Sequence, residues 1–511
     1  MDNEDITNKD KWRFGIMHSQ RKSGAILSYI NIICKNLVNF MYTPFLLKYI
    51  GQGDYGLFQM TNSVIMSLSL LSMGFSSAYV RFYIKFKTDK DLINIKKLNG
   101  MYLLLFCFIS LLSLIIGAFL VFNVEHIFTL NAAQVGLMKR LMAIMILNVA
   151  LTFPSSVFDA NIMVNQQFVY QQGRQLMQTI LVPLIAVPLI FLGSGVLVIG
   201  ITQTLVTLLF LIMNMRLSVK KLNMKFKFTH LNFEMFKEVF VFSFFIFLNQ
   251  IVDLVNNNGP NFILGIFKGA SEVATFAIAI QIKNLFFMMS TSLSNVFIPK
   301  VNELVSKNAR KDILTDLMIK IGRIQMLILL FVLGGFIVVG PYFIHLWAGD
   351  RNSLAYWLVI LMVFPSIVPL SQNIGIEIQR AMNKHIFRSI SYIIFAFINI
   401  IVTVIGTKYF GLVGSSMGYI ISIVCANGFL MNWYYQKKMS LNMVQYWKKT
   451  LNLLLPFIVS VGILLISQNF IAIISMRSFL IYGLMYVFIF GIIYIFLVAT
   501  DYEKKILFRR Q

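Results

Sequence analysis

The sequence predicts an all-α, polytopic membrane protein with fourteen transmembrane helices. Three observations carry that expectation: the composition, the recurrence of long apolar spans, and the placement of the basic residues. Of 511 residues, 58% are hydrophobic and 13% charged, against about 45–50% and about 25% in soluble domains. A large core can absorb extra Leu and Phe, but a soluble surface needs roughly twice these charges.

In order, the apolar spans are 25–47, 57–80, 100–121, 141–160, 176–192, 196–214, 239–258, 273–298, 324–345, 354–376, 389–406, 412–431, 451–468 and 479–499. Each approaches or exceeds the roughly 20 residues that cross a hydrocarbon core as a helix. Barrel strands would alternate in segments of about ten residues, and these do not.

The net charge of +24 suggests nucleic acid until its distribution is considered. With the N-terminus placed in the cytoplasm, 35 of the 44 Lys and Arg residues fall on inner segments and seven on outer loops and flanks. Lys35 and Lys283 lie within spans. Positive charge marks the cytoplasmic side, so both termini are expected there, and the basic character serves orientation and headgroup contact. No soluble domain is available for nucleic acid. The first apolar run is full-length and lacks a small-residue cleavage site, unlike a cleaved signal. Three cysteines, all in spans, give no disulfide framework, and five scattered histidines give no metal site. No cofactor or metal is expected.

The chain repeats internally. The constant shift in numbering that places Asn31 on Asn249 also places Asn39 on Asn257, Gly51 on Gly269, Asp54 on Glu272, Asn165 on Asn383, Gly193 on Gly411 and Gly200 on Gly418. The expected organisation is a cytoplasmic N-terminus (1–24), an N-lobe of six spans (25–214), a cytoplasmic linker (215–238), a C-lobe of six (239–431), and an appended pair with the C-terminus (432–511). Six crossings per repeat give both copies the same orientation, with a pseudo-two-fold axis along the membrane normal.

Two such lobes are expected to enclose a cavity. Asn31, Lys35 and Asn39 share one helical face at i, i+4 and i+8. Asn249, Asp253 and Asn257 do the same in span 7, with Asn256 beside them. A charge near mid-bilayer is expensive unless it faces protein or water, so these faces are expected to look inward, with Lys283 a further lining candidate. Lys35 and Asp253 are equivalent and opposite, and are expected to face one another. A structural ion pair and a solute or coupling-ion site both fit that pattern. At the inner mouth, Arg380, Lys384 and Arg388 form an i, i+4, i+8 stripe and Arg81 closes the second span; anchoring to headgroups and holding a phosphate are the two readings.

Enzyme signals are poor. Gly414-Ser415-Ser416-Met417-Gly418 matches a nucleophile-elbow string, but no strand precedes it, so close helix packing is the better reading. Asp89-Lys90-Asp91 resembles a sugar-nucleotide metal motif in a loop too short for a catalytic domain. There is no phosphate-binding G-x-x-x-x-G-K-[ST] loop, which argues against ATP as the direct energy source.

The stretch from Tyr49 to Phe58, YIGQGDYGLF, resembles the LG-x-x-x-YG signature of bacterial polysaccharide exporters. Leu71 to Arg81, LSMGFSSAYVR, resembles their L-x-x-G-x-x-x-A-x-x-R helix end. On these motifs the chain is similar to the Wzx-type (PST) oligosaccharide-lipid flippases, in the superfamily that also holds MATE antiporters and the lipid II flippase MurJ. The Gln52-Gly53 pair departs from the motif inside the turn. The resemblance implies a MATE-like 6+6+2 arrangement and translocation of a polyprenyl-pyrophosphate-linked oligosaccharide. It further implies the bacterial cytoplasmic (inner) membrane, a surface polysaccharide such as capsule or O-antigen as product, and polymerase machinery as partner; Asp253, released when substrate pyrophosphate takes Lys35, is expected to bind H+ or Na+ as coupling ion. The alternatives are a MATE-like cation antiporter, disfavoured because span 1 offers Lys35 and no carboxylate, and a membrane-embedded polymerase or acyltransferase, disfavoured by short outer loops.

Overall fold

A computed structural model describes the backbone of residues 2–229 and 233–508; side chains are described within 20–505, apart from those of 21, 22, 25, 230–232, 245 and 249. Every element among the described residues is helical. Among the described residues, twelve helices are long and apolar enough to cross a membrane. A helix satisfies its own backbone hydrogen bonds, as lipid requires.

The contacts divide the chain into two units, residues 1–254 with 265–273, and residues 255–264 with 274–511. The first unit begins with α1 (Asp2–Tyr49), α2 (Gly51–Ser69) and α3 (Phe75–Thr88), followed by α4 (Leu92–Phe122) and the single turn α5 (Val124–Ile127). It continues with α6 (Ala132–Val164), α7 (Phe168–Phe191), α8 (Leu197–Arg216) and most of α9 (Phe233–Asn257). At its centre α6 packs against α4 and α8, while α1 lies along α7. Asn131 caps α6 in a reciprocal box with Gln134, satisfying two of the orphan N–H groups at the helix start. Leu141, Met142, Tyr102 and Phe106 are sealed inside. Phe108, Phe119, Leu184 and Leu205 are exposed, as on lipid-facing helices, where apolar surface carries no penalty.

α10 (Gly259–Phe267) spans the division between units. The second unit contains nearly all of α11 (Ala270–Ser306), then α12 (Lys311–Ala348), α13 (Leu354–Ser371), α14 (Asn373–Ala381) and α15 (Ile386–Ser422). It ends with α16 (Asn432–Lys438), α17 (Met443–Thr450), α18 (Leu454–Gln468), α19 (Met476–Ile493) and α20 (Asp501–Phe508). Here α12 is the hub, touching α13, α14, α17, α18 and α19. Leu314, Met318, Ile374, Ile378, Tyr435 and Tyr446 form a buried cluster, and the Tyr446 hydroxyl donates to the Ser371 carbonyl (2.9 Å).

Left-handed residues repeat along the chain under the shift that relates Asn31 to Asn249. It pairs Gly51 (φ 83°) with Gly269 (φ 86°), Lys90 (56°) with Asn308 (51°), and Gly193 (84°) with Gly411 (59°). Gln166 (58°) and Asn383 (56°), and Asn223 (51°) and Ser440 (56°), fall one position short of it. Gly411 breaks α15 into two limbs. A Cβ on Gly414 would collide with the Gly406 carbonyl oxygen, and one on Gly418 with that of Asn399. The Gly414–Gly418 segment is therefore a packing seam, as its composition suggested, with no room for a nucleophile. Asp91 likewise caps α4, accepting from the Asn94 N–H (2.9 Å).

Candidate functional site

In the first unit Asn31 is buried and donates to Gln175 Oε1 on α7 (3.0 Å). Lys35 and Asn39 are exposed, as is Asp253 on α9. Among the described residues no ion pair joins Lys35 to Asp253; Asp253 has other interactions. The side chain of Asn249 lies outside the described residues. Arg81 sits with its guanidinium over the Phe242 ring (4.7 Å).

This unit also holds a polar cluster that the helical-face pattern does not flag. Arg174 Nη2 on α7 meets Asp159 Oδ1 on α6 at 3.0 Å, with the Arg174 side chain 10% exposed. Asn214 on α8 donates to the same carboxylate oxygen (2.9 Å) and lies 3.3 Å from Ser155 Oγ. The Tyr170 hydroxyl donates to Asn214 Oδ1 (3.2 Å). Three helices are thus joined through one carboxylate. The signal was present: Asp159 lies inside the predicted span 141–160, and an acidic residue there needs a partner.

In the second unit Asn256 accepts from Asn399 Nδ2 (2.8 Å), and Asn399 accepts from the Thr403 hydroxyl (2.9 Å). Asn257 is exposed. The basic stripe is not one helical face. Arg380 is on α14, Lys384 is in the turn that Asn383 makes at φ 56°, and Arg388 is on α15. Each has its own partner: Glu377 for Arg380 (2.8 Å), the Lys438 carbonyl for Lys384 (2.6 Å), and the Tyr392 hydroxyl and ring for Arg388. Tyr392 in turn donates to Asn427. The i, i+4, i+8 spacing misled because the helix breaks within the stripe, at the turn that carries Lys384.

Lys283 is 2% exposed and packs against the faces of Tyr419 (4.3 Å) and Phe287 (5.5 Å). A second buried cation, Arg323 on α12, forms a two-pronged ion pair with Glu503 on α20 (2.7 and 2.9 Å); both side chains are 6% exposed. Arg323 also donates to the carbonyls of Lys449 and Val498, tying α17 and the segment after α19 to α12. Burial opposes ionisation of Glu503, but hydrogen bonds from Arg323 and from the Thr500 N–H outweigh it and hold the carboxyl below its ordinary range.

Known proteins share both the sequence pattern and the architecture. A profile of the family described as "Polysaccharide biosynthesis protein" matches residues 21–305. The chain belongs to this family. No curated protein matches it closely enough to count. Among solved structures, this member of the polysaccharide biosynthesis protein family is similar to "Lipid II flippase MurJ, inward closed conformation", with TM-score 0.70 and 16% identity over 95% of this chain and 98% of that one. It is also similar to the MATE multidrug transporter DinF-BH, with TM-score 0.59 and 15% identity over 82% and 95%. An inward-facing MATE family transporter of the MOP superfamily gives TM-score 0.58 and 15% identity over 80% and 96%. At these identities the likeness is one of fold. The family thus joins a membrane transporter fold to polysaccharide biosynthesis.

Proposed function

We propose that this chain is a flippase moving a polyprenyl-pyrophosphate-linked oligosaccharide repeat unit across the bacterial cytoplasmic membrane by alternating access, for a surface polymer such as capsule or O-antigen. The observation that carries this reading is the family match over residues 21–305 combined with a MurJ-like fold over 95% of the chain. The physics is consistent. Each unpaired glycan hydroxyl costs about 2–7 kcal/mol to move into hydrocarbon, so unassisted flipping is negligible. Amide side chains can replace water's hydrogen bonds, and Lys or Arg can neutralise phosphate.

The reading uses fourteen crossings with both termini cytoplasmic: the twelve long apolar helices, plus α1, with α15 counted twice because Gly411 divides it. It assigns Asn31, Lys35, Asn39, Asn249, Asp253, Asn256 and Asn257 to glycan and ion handling. Arg81, Arg380, Lys384 and Arg388 are assigned to phosphate or headgroup contact at the inner mouth. H+ or Na+ is the coupling ion, and polymerase machinery the partner that consumes the product. A small-cation antiporter is the second reading. The first unit does hold a carboxylate, Asp159, which favours it; Arg174 and Asn214 already occupy that carboxylate, which does not.

Deleting the gene should trap a lipid-linked repeat unit in the inner leaflet and abolish the surface polymer. A normal polymer with raised sensitivity to organic cations would instead establish the antiporter. For topology, cysteines at Gln52 and Asn131 should react with an impermeant thiol reagent in intact cells, and so should one at Ser353, which is exposed beside the buried Asn352; labelling at Asn223 would invert the orientation.

A further inference from the structure

Lys283 lies fourteenth in α11, about 20 Å along the helix from Ala270 at 1.5 Å per residue, and is 2% exposed. Among the described residues of the second unit, no carboxylate is paired with it. Glu303 is engaged by Lys300 and Lys307, Asp312 by Arg310, Asp350 by His345, Glu377 by Arg380 and Glu503 by Arg323. Asp316 and Asp501 are exposed. The ammonium meets instead the rings of Phe287, from its own helix, and Tyr419, from α15. The Tyr419 hydroxyl bonds with Ser366 Oγ of α13 (2.8 Å), and Ser366 donates on to the Met362 carbonyl (2.6 Å).

Few titratable groups among the described residues therefore face Lys283. α15 presents Tyr419 and, beyond it, Tyr392, on which Arg388 stacks; α13 presents the Ser366 hydroxyl. Burying an ion without a counter-ion is costly, and a cation–π contact returns only part of that cost. With rings and no carboxylate against it, the amine's charge depends on whether water reaches it. Under the shift that relates the two halves, the equivalent of Lys283 is Ile65, so this device belongs to the second half alone.

We infer that Lys283 is a proton-carrying site. Its amine lone pair takes a proton from a hydronium ion, leaving water and an ammonium, and returns it to water in the opposite step, which links substrate movement to a proton gradient. The inference rests on the transporter reading above and supplies its coupling ion.

The test needs no substrate. Full-length protein in lipid nanodiscs is stepped from about pH 9 to about pH 6 in weak buffer, and proton uptake is followed with a pH dye. Wild type should take up about one more proton per chain than either Lys283→Gln, which cannot bind one, or Lys283→Arg, which cannot release one. Equal uptake by all three overturns the inference. If neither variant folds, Tyr419→Leu, which keeps the lysine and removes one ring face, should move the pH of that uptake step; an unmoved step overturns the inference equally. In cells, export should be sensitive to a protonophore in wild type and lose that sensitivity in Lys283→Gln; retained sensitivity would defeat the coupling claim. Uptake that passes while the deletion strain exports its glycan normally would sink the glycan reading and spare this one.

Discussion

Asp159, Arg174 and Asn214 of the first half correspond to Glu377, Tyr392 and Asn432 of the second under the shift that relates Asn31 to Asn249, and the two sets are wired differently. In the first, Arg174 closes on Asp159 and the Tyr170 hydroxyl reaches Asn214. In the second, the arginine and tyrosine have exchanged places: Arg388 is the equivalent of Tyr170, and Tyr392 that of Arg174. Arg388 therefore stacks on Tyr392, Glu377 turns to Arg380, and Asn432 bonds with Gln372 (2.9 Å). The turns, by contrast, coincide almost position for position. A left-handed turn admits few residue types without a cost, so backbone positions are tightly constrained. A polar cluster needs only that every buried donor and acceptor find a partner, and several wirings do so. The second helix differs too: Met73 (φ 45°) and Gly74 (φ 69°) break it between α2 and α3, whereas α11 runs unbroken through the equivalent Thr291 and Ser292.

The largest effect should come from giving the second half the first half's residue at Arg323, whose equivalent is Leu105. Arg323→Leu strands Glu503, and losing one partner of a buried pair costs about 3–5 kcal/mol. Arg323→Leu with Glu503→Leu should recover most of it in a detergent thermal-melt assay. Failure of the double variant to recover would mean that the pair is not what holds α20.

Asp159→Asn should cost about 1.5–3 kcal/mol, the range for a hydrogen bond to a charged group, because Arg174 is nearly buried and loses its counter-ion. Glu377→Gln should cost under about 1 kcal/mol, because Arg380 is exposed and such pairs are weak. Equal losses would erase the contrast between the two clusters.

Next in size, Gly414→Ala should cost about 1–3 kcal/mol by overpacking, since its Cβ meets the Gly406 backbone. At the equivalent position Val196 is accommodated and buried, so Val196→Gly should destabilise by leaving a cavity, whereas Gly414→Ala does so by a clash. The comparison is read from melting midpoints and from expression in membranes.

The smallest effect concerns pH. Glu503 is held below its ordinary range, so its stabilisation is complete above the unfolded carboxyl value of about 4.3. It is lost as pH falls through the lower folded value. Between about pH 6 and pH 3 the wild-type melting point should therefore fall more than that of Glu503→Gln. A parallel fall would mean that the carboxylate gains nothing from Arg323.

Much of this was legible in the sequence. Long apolar runs and a constant shift between the halves suffice for a helical membrane protein with a repeat, because lipid leaves the backbone few choices. Gly51, Gly193, Gly269 and Gly411, matched between the halves, lie between apolar spans, and each has positive φ. The site was less readable. Arg323 looked like one more basic residue of an inner loop, since nothing local to it reveals a partner 180 residues away. Arg380, Lys384 and Arg388 looked like a stripe because spacing assumes an unbroken helix. Lys283 was marked as a charge within a span, but its aromatic setting depends on Tyr419, brought in from α15.

The Arg323–Glu503 tie also bears on how the chain is made. A ribosome adds about 5–20 residues per second, so the 180 residues separating the two partners take roughly 9–36 s to appear. For that interval α12 is already available to the membrane while its arginine has no carboxylate. Until Glu503 is made, the Arg323 guanidinium needs water or another acceptor in its place. The tie between α12 and α20 therefore forms only after the helices between them have been made, although α12 meets α18 and α19 through contacts of their own.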